Sequence, residues 1–588
     1  MSMTAKIREL TQKKRVRMGL FPVLLFLFAM LGLTRGVDLT DTTYSLGNYR
    51  FLNELEGDWI WATGLSNLAG HLLLGLSAGS MPVMSFVCRL FIVAAVFAVY
   101  FTLADEEHAL PVFLGSWIAL GLCWCPAVIL YNYLSYLLLT LAALFLRRAN
   151  RTERGRDDAV AGLLLGLSLF VRISDLVYAA LIFFVFGSCI FRDGKITKRM
   201  GKRTLTCVLS YFAGAAAGLL LLIALRSGAQ SGGIASMIGW VTGLASSGGQ
   251  AGGYSLGAML LTLCKAYLWA LERFLPLAAV ILGGGVLRLI LREETQKPLR
   301  IVLVTGATAL LFLLYFKRGV CTLLYYSNGS IYGIGAVLLV LLYIVFGIVL
   351  IGGKAFMTEE REEALLGLLL LLIAPLGTNN HLYAVLNQLV LILPLAFRLL
   401  KRVSEKIGGA VREPAALTLS LFFLLLLVQT SLFRANYSFA DGEDGSRQDY
   451  VMANPTQLLG MRTSRAHGAT VESLVRQQAL AHAESLLCYG NLPGLNYVTG
   501  LRPAIPTLWP DLESYAAEDF RSALQQAAAE ESAPVVILSA EAKRRIFEGS
   551  EAENTPALSE KDGCMKAFLT GNGYEIKYED AEFILYAR

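Results

Sequence analysis

Residues 35–61 read RGVDLTDTTYSLGNYRFLNELEGDWIW. The stretch is polar, acidic and aromatic, and it follows the first long apolar run of the chain, Leu20 to Leu33, directly. Nearly everything between this stretch and residue 433 has the pattern of membrane helix. Its first two carboxylates, Asp38 and Asp41, are therefore expected at the mouth of a helical bundle. Ionisable groups in such a place indicate chemistry or cation binding, because they are costly to keep there.

The composition places most of the chain in lipid. Of its 588 residues, 55% are hydrophobic and only 16% are charged. Its apolar runs, of about 17 to 25 residues, match the length that crosses a hydrocarbon layer of about 30 Å. The net charge of +6 comes from basic residues spread over short loops, as membrane topology requires, and does not indicate a nucleic-acid-binding surface. The sequence predicts a polytopic α-helical membrane protein with no nucleic-acid partner.

The basic loops give the predicted orientation. The basic segment before the first apolar run, with no small-residue cleavage site ahead of Asp38, indicates a retained signal anchor with a cytoplasmic N-terminus. The loops RRANRTERGR (147–156) and FRDGKITKRMGKR (191–203) are then cytoplasmic as well. About thirteen crossings, at one per apolar run, end at Phe433 and place both Asp38 and the C-terminal residues on the outer side.

Two parts follow from this topology. We expect a transmembrane domain over residues 1–433, with an external loop at 36–80 and a mobile, Gly- and Ser-rich external loop at 227–253. Residues 254–270 are expected to form a separate external or re-entrant helix. Residues 434–588 have the composition of a soluble α/β domain, with strands predicted in AESLLCYG, APVVILSA and FILYAR and helices in EDFRSALQQAAAEE and AEAKRRIFEG.

Unusual polar residues fall together on the predicted outer side. A carboxylate can accept a proton from an attacking hydroxyl while cations stabilise a departing lipid phosphate. Simpler interpretations stay open: the aspartates as helix caps, the basic side chains as groups reaching for lipid headgroups, and the histidine as a solvated loop residue. The set comprises Asp38, Asp41, Asn132, Arg172, Asp175, Lys317, Arg318, Asn379, Asn380 and His381.

The segment Asp41-Thr42-Thr43-Tyr44 resembles the acidic and aromatic motif that GT-C glycosyltransferases carry after their first span. The tail segment YGNLPGLNYVTGLRPAIP (489–506) looks like the tails of bacterial members. The predicted order of membrane spans, acidic first external loop and external C-terminal domain also resembles that of GT-C enzymes. The resemblance is to the users of polyprenyl-phosphate sugars in particular, such as the lipid A aminoarabinose transferase and protein O-mannosyltransferase families. Where such members often have adjacent Asp-Glu, this chain has Asp41-Thr42, which leaves open whether Asp41 or Asp38 is the base.

The resemblance implies a glycosyltransferase of the bacterial cytoplasmic (inner) membrane. It would move a sugar from a polyprenyl-phosphate donor to a hydroxyl of a glycan, lipid or protein. By the same resemblance Asp41 is the general base or acceptor-positioning carboxylate and Asp38 the second choice. The substrate-binding candidates are Tyr44, Asn132, Arg172, Lys317, Arg318, Asn379 and His381. Two carboxylates permit Mg²⁺ or Mn²⁺, yet these ions need further oxygen ligands that the sequence does not supply, so no metal ligand is assigned.

Two alternatives remain. A transporter or flippase of lipid-linked glycans would also require external charges, but it would have functional ionisable residues near mid-membrane in several helices. The spans are nearly free of them, apart from Arg89 inside one end and Lys265, Glu272 and Arg273 beside the ambiguous segment. This pattern favours an enzyme. A non-enzymatic scaffold that uses its tail to bind a partner is the second alternative.

Overall fold

The computed structural model describes residues 9, 11–56, 58–226, 256–376, 378, 380–549 and 555–588. Up to Asn436 the described chain is a bundle of helices. A 3₁₀ helix, Ile173–Ile182, leads directly into one of them. The α-helices of the bundle are α1 (Phe21–Met30), α2 (Asp41–Arg50), α3 (Asp58–Ala62), α4 (Gly64–Leu76), α5 (Met81–Leu103), α6 (Ala109–Leu122), α7 (Leu130–Thr152), α8 (Gly155–Val171), α9 (Phe183–Asp193), α10 (Lys198–Arg226), α11 (Leu256–Ile290), α12 (Lys297–Lys317), α13 (Gly329–Ile351), α14 (Thr358–Ile373), α15 (His381–Leu386), α16 (Leu389–Lys406) and α17 (Arg412–Asn436).

Eight stretches within the described residues are long and apolar enough to cross a membrane. Shorter apolar helices, such as Ala109–Leu122, stand beside them. The predicted polytopic helical membrane fold is confirmed. The count is below the predicted thirteen because some apolar runs form short helices, such as α8 with 17 residues and α14 with 16. The eight are Met81–Leu103, Leu130–Thr152, Ile173–Asp193, Lys198–Ala224, Met259–Ile290, Glu294–Lys317, Gly329–Ile351 and Gly409–Asn436.

Helix α11 corrects the prediction of a separate helix at 254–270. From Leu256 the chain is one continuous helix of 35 residues, about 52 Å long at about 1.5 Å per residue. The charged residues before Pro276 do not end it, because the Arg273 guanidinium lies 3.7 Å from the centre of the Trp269 ring. The Tyr315 hydroxyl also donates a 2.9 Å hydrogen bond to the Arg273 carbonyl, which supports the backbone next to the proline.

One face of α11 is built to contact lipid. Leu268, Leu275, Leu282 and Leu289 recur every seven residues and are each more than half exposed. A seven-residue spacing keeps side chains on the same face of a helix. Such an apolar, exposed stripe is stable only in hydrocarbon. The predicted mobile loop 227–253, which would precede this helix, lies outside the described residues.

Helices α8 and α10 pack with their backbones in close contact. Gly162 and Gly166 lie one turn apart on α8, where added β-carbons would collide with the carbonyl oxygens of Cys207 and Tyr211. From the other side, a β-carbon on Gly214 would collide with the Leu163 carbonyl. Small residues at this spacing allow membrane helices to associate through dispersion contacts.

We expect Gly166→Val to lower the free energy of unfolding by about 1–3 kcal/mol, because the new side chain must push α8 from α10. Unfolding by sodium dodecyl sulfate in mixed micelles measures this change in the free energy of unfolding. Gly201→Val is the matched control on α10, since a β-carbon there meets nothing within 4 Å. Equal stability of the two variants would contradict the close packing.

Buried ion pairs join the helices at the end of the bundle remote from the C-terminal region. Glu363 on α14 accepts a 3.1 Å hydrogen bond from Arg147 Nε on α7. It also lies 3.4 Å from Arg398 Nε on α16, and both Glu363 and Arg147 are buried. A buried carboxylate shared by two arginines holds three helices together, because leaving either charge unpaired in a low-dielectric interior is costly.

The C-terminal region contains the predicted α/β fold. Its five-stranded sheet has the order β4–β3–β5–β7–β6, with β3 parallel to β4 and β5, and β7 antiparallel to β5 and β6. The three predicted strands are its centre, β3, β5 and β7; the remaining strands were not predicted. The elements are β1 (Tyr450–Val451), β2 (Arg462–Thr463), α18 (Arg465–Leu480), β3 (Ser485–Tyr489), α19 (Leu495–Thr499), β4 (Arg502–Pro503), α20 (Ala517–Ala529), β5 (Val535–Ser539), α21 (Ala540–Lys543), α22 (Pro556–Gly571), β6 (Glu575–Glu579) and β7 (Phe583–Ala587).

Both faces of strand β3 are covered. Leu487 and Tyr489 of β3 pack in a cluster with Phe520 of α20 and Phe568 of α22. The alternate side chains Leu486 and Cys488 belong to the apolar cluster that continues into the helical bundle. Because side chains alternate between the faces of a strand, burial of both faces explains the continuous apolar run in the sequence.

Candidate functional site

The acidic stretch 35–61 is covered by the C-terminal region. Backbone hydrogen bonds join the two parts at both ends of the stretch. The tail segment 489–506 supplies several of the contacts, so the two segments that carry the GT-C resemblance touch each other. The bonds run from Gly36 N–H to Arg462 O (2.8 Å), Arg462 N–H to Thr34 O (2.7 Å), Gly494 N–H to Leu39 O (2.9 Å), Glu56 N–H to Pro506 O (2.9 Å) and the Tyr497 hydroxyl to Gly79 O (2.7 Å).

Asp38 is buried and caps helix α2. Its two carboxylate oxygens accept hydrogen bonds from the backbone N–H groups of Thr40 and Thr42, each at 2.8 Å. The first N–H groups of a helix have no partner within the helix, and a carboxylate is a favourable acceptor for them. The contacts of Asp38 are therefore those of a helix cap, and both of its carboxylate oxygens already accept hydrogen bonds.

Asp41 lies one turn further on and is half-buried. Within the described residues its carboxylate accepts no hydrogen bond and forms no ion pair. Burial, together with the nearby negative charge of Asp38, raises the pKa of Asp41 to about 6. A carboxylate that is unpaired and titrates near neutral pH has the properties of a general base.

Arg172 is the centre of a buried polar network. Its Nε donates to Asp175 at 3.0 Å and one terminal nitrogen donates to the Asn132 side-chain oxygen at 2.9 Å. Ser135 donates to the second Asp175 oxygen. The Tyr178 hydroxyl bonds Gln388 at 3.3 Å, which extends the network to helix α16. The structure thus brings together two predicted substrate-binding residues, Asn132 and Arg172, in direct contact.

The two charged centres share neighbours. Cys125 lines one cavity together with Asp38 and with Thr42, the residue that follows Asp41. The Asn132 amide donates to the Cys125 sulfur at 3.3 Å, and the Asn387 side-chain oxygen accepts from the Cys125 N–H at 3.1 Å. A carboxylate and a guanidinium therefore lie on the same small region at the start of α7, an arrangement that can hold a reacting group between opposite charges.

The remaining candidates are more dispersed. The ring of Tyr44 is buried and meets the ring of Trp509 edge to face at 5.2 Å, so the C-terminal region covers it. Lys317 and Arg318 end α12 with exposed side chains that form no ion pair with any described residue. His381 is half-buried at the start of α15 with a φ of +48°. Asn379 lies outside the described residues. The predicted roles of these residues stay predictions.

A groove lies between the acidic stretch and the C-terminal region. It has a volume of about 580 Å³ and opens beside Asp38. His467 crosses one side of it, within 2.7 Å of Glu582 through Nδ1 and 3.0 Å from the Val37 carbonyl through Nε2. Its acidic lining residues are Asp38, Asp441, Glu443, Asp444, Glu541 and Glu582.

The protonation of His467 fixes this contact. Burial alone would lower the pKa of His467, but the hydrogen bond and charge of Glu582 outweigh it and raise the pKa to about 9. The imidazolium then donates from both ring nitrogens at neutral pH. The sequence could not reveal the role of His467, because its partners Glu582 and Val37 lie far from it along the chain.

The donor set for a divalent cation is incomplete. Among the residues with described positions, no three His, Cys, Asp or Glu side chains are grouped so that they could hold a metal ion. Both oxygens of Asp38 are committed to backbone N–H groups. We therefore derive no chemical step through a metal.

Comparison with known proteins gives distant structural likenesses. No protein-family model matches the chain, and no curated protein matches its sequence. The fold is similar to the archaeal oligosaccharyltransferase AglB from Archaeoglobus fulgidus in complex with an inhibitory peptide and a dolichol-phosphate, with 12% identity, a TM-score of 0.41, and coverage of 91% of this chain and 70% of that one. The apo form of an Archaeoglobus fulgidus oligosaccharyltransferase gives 14% identity and a TM-score of 0.43 over the same shares.

Proposed function

We propose that this protein is a membrane glycosyltransferase that moves a sugar from a polyprenyl-phosphate donor to an acceptor hydroxyl of a glycan, lipid or protein. The reaction would take place on the outer face of the bacterial cytoplasmic membrane. The observation that carries the proposal is the Asp41 carboxylate, which has no partner among the described residues and a pKa raised to about 6. Its neighbour Thr42 lines one cavity with Cys125, which Asn132 joins to the Arg172 network. The covering of this region by the C-terminal sheet supports it, because exclusion of water favours transfer over hydrolysis.

The chemistry assigned to Asp41 is general base catalysis. Asp41 accepts the proton of the acceptor hydroxyl while the oxygen attacks the anomeric carbon of the sugar. The bond from that carbon to the phosphate oxygen breaks, and the polyprenyl phosphate leaves with the bonding electron pair. Nearby cations stabilise the charge that develops on the phosphate. A single displacement of this kind inverts the anomeric configuration.

The direct test uses purified full-length protein in lipid nanodiscs with a polyprenyl-phosphate donor whose sugar carries a radiolabel. We expect label to leave the lipid and appear in a water-soluble or acceptor-bound product, with one polyprenyl phosphate released per sugar. Retention of all label on the lipid, with every class of acceptor offered, would overturn the proposal. Movement of intact donor across a vesicle membrane without release of sugar would instead establish the transporter alternative.

The pH dependence of transfer follows from Asp41. A base must be deprotonated to act, so the rate should rise about tenfold for each pH unit below the pKa of about 6 and level off above it. Rates between pH 4.5 and 8 under saturating donor measure the profile. A rate that is flat between pH 5 and 7 would exclude Asp41 as the group whose ionisation limits transfer.

A further inference from the structure

A second, smaller cavity lies on the other side of Asp38. It lies where the end of α1 meets α5 and α17, and it has a volume of about 40 Å³. Three arginines line it: Arg35 after α1, Arg89 on α5 and Arg434 on α17. Asp38 and Thr42 form part of its wall, so the cavity adjoins the start of the helix that carries Asp41. We refer to it as the arginine pocket.

Neutral acceptors account for the hydrogen bonds of these arginines. Arg89 donates to the carbonyl oxygens of Ala29 at 3.1 Å, Leu31 at 2.6 Å and Gly32 at 3.3 Å. Arg434 donates to the same Ala29 carbonyl, and Arg35 donates to the Ala435 carbonyl. The bonds to Ala29, Leu31 and Gly32 satisfy free carbonyls at the end of α1, and the bond from Arg35 does so at the end of α17. None of these acceptors carries a charge that would balance the three guanidinium groups.

Other buried arginines of this protein are neutralised. Arg147 pairs with Glu363 at 3.1 Å and Arg203 pairs with Asp158 at 2.8 Å. In the arginine pocket, none of the three guanidinium groups lies within 4.0 Å of a carboxylate of any described residue. Asp38 lines the pocket, but its oxygens accept from Thr40 and Thr42 and lie more than 4.0 Å from the three guanidinium groups. Arg89 is buried, and Arg35 and Arg434 are half-buried. Charges removed from water are usually paired in proteins, and this cluster therefore points to an anion that completes it.

Unpartnered donors mark the position of that anion. Arg89 Nε, Arg434 Nε and Ser85 Oγ are buried without a hydrogen-bond partner among the described residues. Arg89 is 7% exposed and Ser85 is 1% exposed, and both line the pocket. A buried donor that is left unsatisfied destabilises the fold, because it has lost its hydrogen bond to water. A role limited to capping α1 explains the bonds to carbonyls, but it explains neither the three charges nor the free serine hydroxyl.

The size of the pocket selects the class of anion. A volume of 40 Å³ holds about three water-sized spheres. This is room for one tetrahedral oxyanion and is too small for a sugar ring. Arginine donors match phosphate oxygens in geometry and charge. We infer that the arginine pocket is a binding site for one phosphate group, supplied either by a lipid headgroup or by free phosphate.

The test measures phosphate binding by the full-length protein in nanodiscs, with ³³P-labelled inorganic phosphate in equilibrium dialysis. We expect one saturable site per chain. Arg89→Gln should weaken binding by more than tenfold. Ser85→Ala should weaken it about tenfold, the effect of losing one hydrogen bond to a charged group. Ser85→Ala leaves every arginine–carbonyl bond in place, so it tests the site even where Arg89→Gln disturbs the fold.

Arg292→Gln is the matched control. Arg292 also donates to a backbone carbonyl, that of Leu289 at 2.6 Å, but it is exposed and lies at α11, away from the pocket. The Arg292→Gln variant should bind phosphate as the native protein does.

Displacement of label by polyprenyl phosphate in the nanodisc would assign the site to a lipid headgroup, whereas binding without displacement would assign it to free phosphate. No saturable binding, or equal binding by Ser85→Ala and the native protein, would overturn the inference whatever the outcome of the sugar-transfer assay.

Discussion

Replacing Asp41 by asparagine is expected to lower the rate of sugar transfer by about 10²- to 10⁴-fold, the usual contribution of a general base. The substitution preserves size and removes only the ability to take a proton at neutral pH. The free energy of unfolding, in contrast, should stay the same or rise. Because the folded state raises the pKa of Asp41 from 3.8 to about 6, it binds a proton more tightly than the unfolded chain does. Ionised Asp41 therefore costs stability as pH rises from about 4 to 6, and a neutral amide removes that cost.

The combination of lost activity with unchanged or higher thermal stability separates a base from a purely structural residue. Transfer rates and melting temperatures of the same nanodisc preparation at pH 7.5 provide both quantities. Glu54→Gln is the control, since Glu54 is an exposed carboxylate of the same acidic stretch. It should keep the native rate. An Asp41→Asn variant with a rate within twofold of the native one would eliminate Asp41 as the base.

Glu363→Gln is expected to lower the free energy of unfolding by about 3–5 kcal/mol, the cost of breaking a buried ion pair while leaving its partner in place. The amide cannot balance Arg147 and Arg398, which both remain in the interior of the bundle. Helices α7, α14 and α16 meet at this carboxylate, so its loss should loosen the end of the bundle remote from the candidate site. The variant should unfold at a lower fraction of sodium dodecyl sulfate in mixed micelles.

A surface pair on one of the same helices gives the comparison. Glu405 on α16 lies 3.3 Å from Arg402 three residues before it, and both side chains are exposed. Glu405→Gln should change the free energy of unfolding by less than about 1 kcal/mol, as exposed pairs do. If Glu363→Gln were no more harmful than Glu405→Gln, the buried cluster would not be holding the helices together.

The helical part of the fold follows from the sequence because lipid imposes one dominant rule. Long apolar runs must become helices, and each predicted run does contain helix. The prediction is wrong at residues 254–270, which were expected to form a separate helix beside the charged pair Glu272 and Arg273. Stacking of Arg273 on Trp269 and support from Tyr315 keep α11 continuous, and such compensation is a tertiary property. Strand β6 was missed because its side chains are mostly exposed and carry no apolar pattern.

The candidate site was partly predictable for a related reason. Asp38, Asp41 and Arg172 stand out in the sequence as charges at the ends of apolar runs. Their different states do not stand out: Asp38 is committed to the α2 backbone, Arg172 is neutralised by Asp175, and Asp41 has no described partner. The arginine pocket could not be predicted, since Arg35, Arg89 and Arg434 converge only when the first and last helices of the bundle meet.

The contact between Val37 and His467 has a consequence for the order of biosynthesis. The two residues are 430 positions apart in the chain. At about 5–20 residues per second, the ribosome adds His467 roughly 20 to 90 s after Val37. Throughout that interval the Asp38 loop has been made while its cover has not. The candidate site is therefore completed last, and a nascent chain that already holds every membrane helix still lacks the enclosure in which transfer would compete with water.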